Sequence, residues 1–256
     1  MDLSPIHFSQ IYARSRYNLP LTPESPAPCP YTDLEAASFA WPLTDDQVPR
    51  RILADRKIDA RHLGDVHRME LHLLVSGRVA EVLSRFDLGR TRLTPVPLVN
   101  TDGTEIPGDW HHLHVCERKD TVVPLEADRF DPINDEKGLV SCLTYPEPGA
   151  IAVEPGAETG VDLWRDPMWR TGLYASAELV AALRAAGVGA AFEWAPARRA
   201  TDADRADAVM ERQNAATAPP VELMAAAGGA TSPSRSWHGW ATRAVAWLRG
   251  GGADRA

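Results

Sequence analysis

Two stretches of the chain distribute apolar and polar residues in the same way. In residues 161–194, VDLWRDPMWRTGLYASAELVAALRAAGVGAAFEW, two short apolar runs around a turn lead to Ser176. Ser176 is placed to cap a helix, its hydroxyl oxygen taking an orphan amide of the first turn. Glu178 lies in that turn, where a negative charge suits the helix dipole. Leu179, Val180, Leu183 and Ala186 then recur at helical spacing, and Gly187 supplies the left-handed stop. The pattern predicts strand, turn, strand, helix, and a half-buried strand over residues 190–194. In the earlier stretch, an apolar strand over residues 71–75 meets Ser76, a helix carries Val79, Val82, Leu83 and Phe86, Gly89 follows, and residues 93–99 are extended. The likeness is open to two readings. The units are an internal repeat, or each is an ordinary capped helix between strands.

Elsewhere the pattern is less regular. Residues 1–43 are rich in proline and aromatics, which predicts an extended segment lying over the body. Residues 44–60 read as a short helix starting after Pro49. TDGT at residues 101–104 is a hairpin signal, because Asp-Gly accepts positive φ. Residues 110–117, 121–125, 139–145 and 151–153 are strand candidates, and EADRFDPINDEKG between them reads as an exposed acidic loop. Beyond Pro196 the composition turns to alanine, arginine, aspartate and proline, and residues 197–234 read as weakly ordered, with a loose helix near Asp202 to Arg212. The tail regains a pattern in SWHGWATRAVAWLRGGG, where Trp237, Trp240, Ala244, Trp247 and Leu248 share one helical face. That face suits docking on the body, on a partner or on a membrane surface.

These elements predict an α+β fold, with a mixed or antiparallel sheet and two short amphipathic helices packed on it. The expected organisation is a Pro-rich extension over residues 1–59, an α+β domain over 60–196 and a tail over 197–256 ending in an amphipathic helix.

Charge narrows the function. Residues 98–167 hold 15 acidic and 5 basic residues, while the flanking parts are close to neutral. Phosphate binding needs the opposite sign, so direct nucleic-acid binding is disfavoured and a basic protein partner is allowed. Cys29, Cys116 and Cys142 are odd in number and lack metal or disulfide spacing. With no basic run leading into an apolar one, and no apolar run of membrane-spanning length, the expected location is the cytoplasm.

Chemistry is sparse in the sequence. His112, His114 and Cys116 alternate in WHHLHVCE, so one strand face would carry two imidazoles and a thiol. That set could hold zinc and serve a small metal-dependent hydrolase, or it is an ordinary strand face. His62, His67 and His72 are five apart, a spacing poor for ligands on a helix, and read as incidental. Neither Ser76 nor Ser141 has the glycine of a nucleophile elbow, and no phosphate-binding glycine loop occurs. Asp128, Asp131 and Asp135 read as a cation site or, more simply, as a solvated loop. No cofactor and no resident metal are expected.

The order of LHLLVSGRVAEVLSRF, PVPLVN, WHHLHVCERKDTVV, VDLWR and LYASAELVAALRAAGVGAAFEW resembles the eleventh immunity-protein family of bacterial polymorphic toxin systems. Leu163, Trp164 and Arg165 match an "iFR"-like strand, and Ser176, Leu179, Leu183, Gly187, Gly189 and Phe192 match the closing unit. The resemblance spans about residues 60–195. HHLH departs from the more apolar residues usual in that strand. The resemblance implies a non-catalytic protein that binds and neutralises a cognate toxin domain. Glu126, Asp128, Asp131, Asp135 and Glu136 are the residues expected to contact the partner, as an acidic surface complements a cationic one.

Overall fold

In the computed structural model the described residues are 6–9, 11, 19–26, 40, 42–69, 72–123, 151–166 and 172–205, with the backbone of 130–134 and 139–142. In chain order the strands begin with β1 (Ile6–Ser9), β2 (Leu21–Glu24), β3 (Arg51–Ala54), β4 (Val66–Met69) and β5 (His72–Ser76), followed by helix α1 (Gly77–Leu83). Next come β6 (Arg92–Pro95), β7 (Leu98–Val99), β8 (Glu105–Ile106), β9 (Trp110–His114) and β10 (Val122–Val123). Then follow β11 (Phe130–Asn134), β12 (Leu139–Cys142), β13 (Ala152–Val153), β14 (Leu163–Trp164) and β15 (Leu173–Ser176). Helix α2 (Ala177–Ala185), β16 (Trp194–Pro196) and β17 (Arg198–Arg199) complete the series. The fold is mixed α+β, and no described helix is long and apolar enough to cross a membrane.

Both predicted caps are present. Ser76 Oγ accepts from the Val79 amide and Ser176 Oγ from the Leu179 amide, each serine in extended conformation before its helix. Each hydroxyl in turn donates to an aspartate one residue ahead of the preceding strand, Ser76 to Asp65 at 2.7 Å and Ser176 to Asp162 at 2.6 Å. The backbone repeats the tie, with the Ser76 amide donating to Asp65 O and the Ser176 amide to Asp162 O. The helices touch, Arg78 donates to the Ala186 carbonyl at 2.9 Å, and Val79, Leu83, Leu179 and Leu183 share one core.

The likeness extends to whole sheets and settles the repeat. One four-stranded sheet runs β4-β5-β9-β6 and another β14-β15-β1-β16, and every pairing in both is antiparallel. Each half has a second sheet in which an antiparallel pair is extended by a parallel strand from beyond the helix: β2-β3 by β7, with β8 added at the edge, and β10-β13 by β17. Even a loop contact recurs, as the Val96 amide donates to Trp110 O and the Ala197 amide to Ile6 O. The chain is an internal duplication with one exchange. Strand β1, from the first half, lies inside the second half's sheet, and β9, from the second half, lies inside the first half's sheet.

Several expectations are corrected. The Pro-rich stretch is no mere extension, because β1, β2 and β3 are integral to three-dimensional pairing, and residues 1–208 form one compact unit. The helix predicted at 44–60 is replaced by a turn and β3, where buried Ile52 and Ala54 alternate with more exposed neighbours, plus one 3-10 turn at Ala60–His62. Residues 190–194 are not a continuous strand: Ala190–Phe192 make a 3-10 turn, Glu193 is left-handed at φ 50, and β16 starts at Trp194. Residues 93–99 split between two sheets. Order continues past Pro196, since β17 pairs in parallel with β13 and Arg198 clasps Asp204. The predicted hairpin at Asp102-Gly103 stands, joining β7 to β8 with Gly103 at φ 81. The tryptophan-bearing face of the tail lies outside the described residues.

Asp166 holds the second half together. It is 1% exposed, and its Oδ2 accepts from the Thr121 amide, the Thr121 hydroxyl and the Val122 amide at 2.7–3.0 Å. Those donors fix the start of β10.

Candidate functional site

Among the described residues, a dense group of chemically versatile side chains is on the face of the first sheet turned away from the helices. Cross-strand pairing aligns His67, Leu74, His112 and Thr94 in one row. Alternation along β5 and β9 brings His72 and His114 to the same face. Four of the chain's eight histidines thus share it. The surface it packs on is apolar: Leu21, Ile52, Leu98 and Ile106 of the neighbouring sheet meet Met69, Leu74 and Trp110.

His72, His112 and His114 are 5%, 1% and 3% exposed, with ring centroids 5.1–6.2 Å apart. His72 Nδ1 and His112 Nε2 are 3.0 Å apart, so one ring N–H donates to the bare nitrogen of the other. His72 Nε2 is buried with no hydrogen-bond partner among the described residues. Burial, and secondarily the Arg165 guanidinium, lowers His72 to about 4. Burial lowers His112 well below an ordinary histidine, with its two neighbouring imidazoles adding to the effect. His67 is also lowered by burial, although its ring bonds the Gly64 carbonyl at 3.0 Å and Asp65 opposes the shift. Burial thus favours the neutral form of His67, His72 and His112 on this face.

This is not the set expected from WHHLHVCE. Strand β9 ends at His114, and the Cys116 thiol turns to the His114 carbonyl oxygen at 3.5 Å. Burial pushes that thiol up to about 11, and the charged groups around it are Arg90, Arg92 and Glu117. A protonated, buried thiol is a poor nucleophile. Among the described residues, no group of three or more His, Cys, Asp or Glu side chains is arranged to hold a metal ion. Instead the structure brings in His72, which spacing along the sequence sets aside. The usable signal was period-two counting from buried Leu74, which turns His72 to the same side.

The acidic candidates fare differently. Asp131 lies in β11, paired across to Ser141 in β12, in a stretch expected to be a loop. Glu126, Asp128, Asp135 and Glu136 lie outside the described residues. No protein-family model matches the chain, and no match to it is found among curated proteins.

Proposed function

We propose that this chain is a non-catalytic immunity protein, which binds a cognate toxin domain and neutralises it through the acidic stretch around Asp131. The observation that carries the reading is the form of that stretch. Strands β11 and β12 make a two-stranded ribbon that joins no other sheet among the described residues, with a register shift between Pro132 and Asn134. An unjoined ribbon offers backbone donors and acceptors to a partner strand. Residues 126–136 carry five carboxylates, on and beside β11. Such a density draws a cationic protein surface in faster and orients it. The resemblance to the eleventh immunity-protein family supports the same reading. The protein would act in the cytoplasm, with the toxin domain as partner and no cofactor.

The test starts from the neighbouring gene. A C-terminal toxin domain encoded there is purified, and this protein is titrated into it by calorimetry while toxicity is followed in cells. The expected result is a one-to-one complex and rescued growth. A toxin domain that neither binds nor is neutralised sinks the reading, as does a neighbourhood with no such gene.

A further inference from the structure

The duplication supplies an internal comparison for the histidine face. In the first sheet the aligned row is His67, Leu74, His112 and Thr94; in its twin the same row is Trp164, Tyr174, Phe8 and Ala195. The twin row is a packed aromatic core, with Trp164 and Tyr174 stacked at 6.0 Å between centroids. Where one half buries rings that carry no charge at neutral or acid pH, the other buries imidazoles.

From this contrast we propose that the His72–His112–His114 cluster is an acid-triggered opening device, which loosens the first sheet from the apolar sheet beneath it while its aromatic twin stays closed. The hydrogen bond between His72 and His112 exists only while one of the facing nitrogens is bare. A proton on both would set two N–H groups against each other 3.0 Å apart, on side chains only 5% and 1% exposed. Among the described residues, the charged group acting on His72 is the Arg165 guanidinium, and those acting on His112 are His72 and His114. None of these is a carboxylate that would welcome the extra charge. On the same face, Arg92 of β6 is taken up by Asp45 and the Leu43 carbonyl, and His67 of β4 faces Trp110 with ring centroids 6.0 Å apart.

The direction follows from linkage. Groups held below the usual histidine range in the folded state bind fewer protons there than in the open state. Stability is therefore complete above about pH 6.5 and is lost as the pH falls from there toward about 4, the value for His72. Each imidazole kept neutral multiplies the opening constant about tenfold per pH unit within that window. The twin sheet carries one buried-side imidazole, His7, half-buried on its opposite face.

Hydrogen exchange of the full chain at pH 7.5 and 5.5, corrected for intrinsic exchange, separates the two sheets. Protection of β5 and β9 is expected to fall about a hundredfold, tenfold each for His72 and His112, and that of β1 and β15 about tenfold or less. His112→Phe copies the twin's Phe8 and is expected to remove about tenfold of the β5–β9 effect. Equal pH dependence in the two sheets overturns the proposal, whether or not the variant folds. So does an unchanged loss in His112→Phe. An NMR titration in which the His72 and His112 rings of the intact fold protonate near pH 6.5 overturns it too. None of this depends on the toxin reading.

Discussion

Asp162 Oδ1 accepts the Ser176 hydroxyl proton at 2.6 Å, while the same hydroxyl oxygen accepts the Leu179 amide at 3.2 Å. The carboxylate thus orients the capping group, and the first half repeats the device with Asp65 and Ser76. Ser76→Ala and Ser176→Ala are each expected to cost about 1–2 kcal/mol, the upper range for a lost cap. At this size that is a fall of a few °C in Tm, read by thermal melts. A loss at only one of the two serines would show that the halves do not use the motif alike.

The exchanged strands predict the behaviour of a cut chain. Two fragments divided between β8 and β9 are expected to copurify when coexpressed, because each donates one strand to the other's sheet. Deleting β1 from one fragment should abolish recovery of the complex. A second fragment that is folded and soluble alone, without β1, would show that the exchange is dispensable.

Asp166 satisfies three buried donors with one oxygen. Asp166→Ala strands two backbone amides, each costing on the order of 1–3 kcal/mol, whereas Asp166→Asn keeps an acceptor and loses only the charge. Denaturant titration should rank wild type above Asn and Asn above Ala. An alanine variant as stable as asparagine contradicts this geometry.

For the acidic ribbon, the measurement is association rate against salt. Reversing Asp131, Asp135 and Glu136 to lysine is expected to slow binding of the toxin domain at least tenfold at low ionic strength, and the gap should narrow as salt rises. Rates that ignore both charge and salt would move the contact surface elsewhere on the molecule.

Local features were readable from the sequence, and distant ones were not. The two caps declare themselves within four residues, because a serine hydroxyl, a first turn and an apolar stripe are all short-range. The repeat stayed ambiguous because Ser76 and Ser176 share few identical neighbours; shared register, visible only in the pairings, identifies it. The helix expected near Ile52 failed because burial on alternate residues won over local helical preference. His72 was set aside for a related reason. It meets His112 across a strand pair 40 residues apart in sequence, and no local spacing rule reaches that far. The β11 half of the ribbon was taken for a loop because residues 126–138 are polar, although Phe130 to Asn134 pairs as a strand, while β12 falls inside the strand expected at 139–145.

The crossing of β1 and β9 between halves also sets a timetable for synthesis. Residues 6–9 leave the ribosome well before their partners, which lie at 173–176 in β15 and at 194–196 in β16. At translation speeds of about 5–20 residues per second, β1 waits roughly 8–33 s for its place in a sheet. The first half waits too, for β9, before its own sheet can close. Neither half is a finished intermediate, so the nascent chain carries an apolar strand without its partners throughout that interval, and its yield in a cell depends on what shields the strand meanwhile.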